Sequence, residues 1–109
     1  MMFSQYNELS ELNNAYNAEK KQVDQELQEL RELKYQIRKE NEQSYDLFLY
    51  LKEKMNYSNE ANDKMVRSIE EYEYEANQLL RKSEIELENY KDELKRGYLK
   101  QTEKIEDGD

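Results

Sequence analysis

Apolar residues recur at every seventh position from Leu9 to Leu51. The series is Leu9, Tyr16, Val23, Leu30, Ile37, Ser44 and Leu51, with Ser44 its one polar member. A heptad interval held this long predicts an amphipathic helix with a narrow buried stripe, as in a coiled coil. Leu12, Leu33 and Leu47 extend the stripe at the second core position, and Leu27, Phe48 and Met55 widen it from the next position. A helix with such a stripe is not stable alone in water, so it must lie against another helix.

The pattern places the first helix at about 5–55, with Ser4 as a candidate cap. It is followed by Asn56-Tyr-Ser-Asn-Glu-Ala-Asn62, which holds three Asn and one Ser. These residues compete with helical backbone bonds and suit caps and turns. A turn is expected at 56–59, with Ser58 or Asn59 capping a second helix. One unbroken helix through this point is the alternative, since no Gly or Pro forces a break. The second helix is expected over about 60–104. Its seam reads Met65, Ile69, Tyr72, Ala76, Leu80, Ser83, Leu87, Tyr90, Leu94 and Tyr98. Residues 105–109 form an acidic tail expected to be disordered. The predicted fold class is therefore all-α: an antiparallel two-helix hairpin, coiled-coil-like, in one domain over 1–104.

Some apolar residues do not fit the seams. Tyr45-Asp-Leu-Phe-Leu-Tyr-Leu51 is too apolar for one stripe. Tyr35, Tyr45 and Leu49 fall on the outer face of the first helix, and Tyr74, Ile85 and Leu99 form a weaker outer stripe on the second. With Phe48, these are the candidate partner-binding residues. The plainer reading is amphipathic Tyr rings on a solvated helix.

Composition sharpens this picture. Apolar residues are 36% and charged residues 39% of the 109, which suits a thin helical core better than a thick one. The net charge of −9 makes nucleic acid and anionic membrane poor partners. The charge is uneven: residues 1–55 carry 8 basic and 11 acidic groups, and residues 56–109 carry 9 and 15. No apolar run approaches membrane-spanning length, and the first residues lack the basic flank and apolar core of a cleaved leader. The expectation is a cytoplasmic chain, or one that leaves the cell without a cleaved signal peptide.

Catalytic constellations are missing from the sequence. With no His and no Cys, neither a Ser-His-Asp nor a Cys-His arrangement can be built, and an ordinary zinc site is excluded. There is no Gly-rich phosphate loop and no Glu-x-x-His. The expectation is no enzyme activity, no cofactor and no metal. The ten Tyr residues are read as packing and interface area.

An acidic chain of this length, with two helices of similar length about a central turn, resembles the WXG-type helical hairpins of type VII secretion. Within that group it looks most like the small helical partners encoded beside LXG toxins in Gram-positive bacteria. Leu79-Leu-Arg-Lys and Glu88-Asn-Tyr-Lys-Asp-Glu-Leu-Lys-Arg96 are similar to charged stretches of one such partner class. Trp-x-Gly is absent, as is Tyr-x-x-x-Asp/Glu, because Tyr90 leads to Leu94 and Tyr98 to Thr102. The resemblance implies an adaptor, chaperone or targeting factor that binds the helical N-terminal domain of a toxin and supports its export, with a second small helical protein as a further partner. Two other readings stand beside it: a self-associating structural coiled coil of phage or cytoskeletal type, for which a homodimer suffices, and an acidic regulator of a basic protein.

Overall fold

A computed structural model of the chain describes residues 2–56 and 58–108. The fold is all-α, with helix α1 at Leu9–Met55 and helix α2 at Asn59–Asp107. The expected turn lies between them, although Tyr57 is outside the described residues. Asn56 takes the left-handed conformation, with φ 52°, just past the last residue of α1. Asn tolerates that conformation better than most residues and so suits a helix C-terminus. Ser58 then caps α2: its Oγ accepts from the Ala61 N–H at 3.2 Å, and its carbonyl accepts from the Asn62 N–H at 3.1 Å. Lys52 and Lys54 in the last turn of α1, and Glu60 in the first turn of α2, have the signs that the helix dipoles favour. One continuous helix is thereby ruled out.

The chain divides into two compact units. Unit 1 joins Met1–Glu29 to Ser83–Asp109. Its helices run antiparallel: the Tyr98 hydroxyl donates to Asn13 Oδ1 at 2.6 Å, the Tyr90 hydroxyl to Glu19 Oε2 at 3.3 Å, and Lys91 Nζ reaches Asp24 Oδ1 at 2.7 Å. Phe3, Leu12, Val23, Leu27 and Leu94 form its core, with Leu94 only 1% exposed. The Tyr16 and Tyr98 rings stack at 4.3 Å beside that core.

Unit 1 departs from the sequence reading at both ends. Residues 2–8, placed partly in the first helix by the sequence pattern, are not helical. They turn back so that Phe3 enters the core, with its ring edge-on to Tyr16 at 6.2 Å. Phe3 carries a φ of 65°, a conformation that costs a non-glycine residue energy, so its burial must more than offset the strain. Gln101 Nε2 donates to the Tyr6 carbonyl at 2.7 Å and pins the segment to α2. Gly97 leaves room for it: a Cβ there would stand 3.1 Å from that of Met2. At the other end α2 continues past 104 to Asp107, because Ile105 packs against the core and extends the seam. Asp109 lies outside the described residues.

Unit 2, Leu30–Lys82, is a helical hairpin about the turn. Phe48, Leu80 and Asn41 are its buried side chains, flanked by half-buried Ile37, Leu51, Val66, Ile69 and Ala76. Several residues assigned to the seam by heptad counting lie outside it. Leu33, Leu47, Met65 and Tyr72 are exposed, while Asn41 is 7% exposed. On α2, Met65 and Tyr72 lie at the edge of a stripe taken too wide, about 60° and 80° from Leu80. On α1 the reason is drift. An α-helix has 3.6 residues per turn, so a strict seven-residue series falls back by about 20° per heptad. The buried set on α1 therefore runs Leu12, Val23, Leu27, Asn41 and Phe48, the last three sharing the heptad position that follows Leu12's.

Candidate protein-docking surface

Two helices cannot cover all of each other's apolar surface, and unit 2 shows what is left. Successive helical residues are rotated by about 100°. Measured from the side of each helix that faces the other, most exposed apolar residues of unit 2 fall in two directions; the exceptions are Tyr50, on the back of α1, and Met55, at its last residue. On one hand lie Leu33 and Leu47 of α1, with Met65, Tyr72 and Leu79 of α2. On the other lie Tyr35 and Leu49 of α1, with Tyr74 of α2. The helices are antiparallel, so like-handed sides fall on the same flank of the hairpin. The first is termed here the leucine flank and the second the arginine flank.

The arginine flank holds a cleft of about 390 Å³ lined by Arg31, Lys34, Tyr35, Arg38, Glu73 and Asn77. Three cations in one cleft stand out on so acidic a chain. Arg38 makes a surface ion pair with Glu42, at 3.6 Å between exposed groups, so it can turn to another carboxylate at little cost. Tyr45 lies half-buried towards this flank. Partial burial raises its phenol above the ordinary tyrosine range, and the carboxylates of Glu70 and Glu73 raise it further. Its hydroxyl therefore remains protonated, as a donor, throughout the physiological range.

The remaining candidates are placed as follows. Tyr35 is 70% exposed, and Leu49 and Tyr74 are more than half exposed. Phe48 is turned inward and is 9% exposed. Ile85 and Leu99 are exposed on α2 in unit 1, two heptads apart. The structure thus gathers Tyr35, Tyr45, Leu49 and Tyr74 onto one flank of unit 2 and places Phe48 beneath it. No protein-family model, curated protein or solved structure matches this chain.

The leucine flank is the part that sequence reasoning missed. Four of its five residues were assigned to the seam. One signal was present: Leu79 and Leu80 are adjacent, and two successive helical residues cannot both point inward. Leu80 does, leaving Leu79 69% exposed. In unit 1 a cleft of about 370 Å³ is lined by Met2, Phe3, Tyr6, Ala15, Tyr90 and Leu94, so the N-terminal segment roofs helix surface there. Tyr90 at its edge has a raised phenol pKa, first from partial burial and then from Glu19, which also accepts its hydrogen bond. Among the described residues no group of three or more acidic side chains could hold a metal ion, and no helix is long and apolar enough to cross a membrane.

Proposed function

We propose that this protein is a non-catalytic adaptor whose hairpin adds helices to a bundle completed by a larger protein, with the helical N-terminal domain of a secreted LXG toxin as the partner and type VII export as the process served. The observation that carries this reading is the exposed apolar surface of unit 2. Tyr35, Leu49 and Tyr74 are large side chains on solvated helices, beside three cations, with no cover from this chain among the described residues. A partner helix suited to the arginine flank presents apolar residues at helical spacing with flanking Asp or Glu. The layout resemblance to small partners of LXG toxins supplies the identity of that helix.

The test is co-expression with the products of adjacent genes, followed by thermal melting of each purified complex. A true partner binds the folded hairpin and raises its Tm in a concentration-dependent way. Tyr35→Glu with Tyr74→Glu should weaken that complex at least tenfold while leaving helix content unchanged. An unchanged Tm with every neighbour would count against the proposal.

A further inference from the structure

The arginine flank is assigned above to a foreign helix. The leucine flank has its own logic, because its two rows match each other. Leu33 and Leu79 lie equally far in sequence from Asn56, as do Glu40 and Tyr72, and Leu47 and Met65. In an antiparallel hairpin turning at that residue, members of each pair sit at the same level. Contacts on the other flank agree with this level: Arg38 and Glu73 line one cleft. The α1 row therefore reads Leu33, Glu40, Leu47, and the α2 row beside it reads Leu79, Tyr72, Met65.

From this self-matching pattern we infer that the leucine flank binds a second copy of this chain, face to face, about a two-fold axis parallel to the helices. That operation lays α1 of one protomer on α2 of its partner at unchanged level. Leucine meets leucine at one end, leucine meets methionine at the other, and in the middle the Tyr72 phenol meets the Glu40 carboxylate, which can accept its proton in a hydrogen bond. Each match occurs twice, as an isologous interface requires. The alternative axis, across the helices, would press Glu40 against Glu40 and desolvate two like charges. Gln36 Nε2 holds one oxygen of Glu40 at 3.2 Å, leaving the other open to Tyr72.

The inference shares with the proposed function only the premise that unit 2 seeks cover, and it concerns the opposite flank.

The experiment is sedimentation equilibrium of the full chain at about 50 μM, with helix content followed by circular dichroism. The expected mass is twice 13.4 kDa. Leu79→Glu changes an exposed position, so it should leave helix content intact and give a monomer. Glu40→Lys should raise the dimer dissociation constant at least tenfold, and Tyr74→Glu, on the arginine flank, should leave it unchanged. Because the chain has no cysteine, geometry can be read by cross-linking. Protein carrying Leu33→Cys should form disulfides faster with protein carrying Leu79→Cys than with protein carrying Leu47→Cys. A fully helical monomer at that concentration overturns the inference, as does a dimer indifferent to Leu79→Glu or a preference for the Leu33–Leu47 cross-link. A monomer that still binds a neighbour-encoded helix sinks this inference and leaves the adaptor reading intact. A dimer that binds no neighbour does the reverse.

Discussion

Replacing Phe3 by alanine tests whether the N-terminal segment is structural. Phe3 is 7% exposed, so nearly all of its ring leaves water on folding. Phe→Ala changes in closed cores cost about 3–5 kcal/mol. Two features lower the figure here. The segment is short and can undock instead of leaving a rigid cavity, and undocking releases the strain of a positive φ, about 1–3 kcal/mol. The loss of the edge-on contact with Tyr16 acts the other way, by about 0.5–1.5 kcal/mol. The expected net loss is about 2–3 kcal/mol, a large share of the roughly 5–15 kcal/mol by which domains are stable. Urea unfolding followed by circular dichroism measures it, since a change in midpoint at constant slope reports stability alone. Gly97→Leu should act on the same contact by pushing Met2 away. The double variant should therefore lose clearly less than the sum of the single losses. A loss below about 0.5 kcal/mol for Phe3→Ala, or strict additivity with Gly97→Leu, would refute the docked segment.

Three further outcomes are expected. Asn41 is buried with its Nδ2 unpaired, so Asn41→Leu should raise stability by about 1–2 kcal/mol in the same assay, and a fall would show that the amide has a partner. Ser58→Ala removes the cap of α2 and should cost about 1 kcal/mol; amide exchange should quicken first at Ala61, whose N–H it leaves unpaired. Tyr45 and Tyr90 have raised phenol pKa values when folded, so the unfolded chain ionises first, near pH 10. Their contribution is complete below that pH and is lost as pH rises through the folded values. A Tyr45→Phe, Tyr90→Phe double variant should therefore lose less stability than the parent between pH 9 and 11.

The helices were legible because heptad spacing survives any reasonable choice of seam. The turn was legible because Asn56 and Ser58 do what their side chains favour: a left-handed end and a cap. The exact register was not. Counting by sevens treats the helix as though it had 3.5 residues per turn, and the error grows along its length. It is small at Val23, which is buried where expected, and has exchanged Leu47 for Phe48 by the end of α1. On α2 the expected stripe did not drift but was too wide: Tyr72 lies about 80° around the helix from buried Leu80 and is exposed, which concealed half of the leucine flank. The N-terminal fold-back left no periodic trace, since Met2, Phe3 and Tyr6 are too few to show a period. Tyr35, Leu49 and Tyr74 were placed off the seam because they are out of phase with it under either count, and they are exposed.

The Gln101–Tyr6 hydrogen bond joins residues 95 apart in the chain. Unit 2, by contrast, closes about a local bend, and its first facing pairs are only a few residues apart. The entropic cost of joining two points grows with the length of chain between them, and distant contacts form slowly. Assembly should therefore start at the Asn56–Ser58 bend and zip outward, with the Phe3 anchor closing last. Loss of structure should follow the reverse path, which makes the bond between Gln101 and Tyr6 the last gained on folding and the first lost to heat.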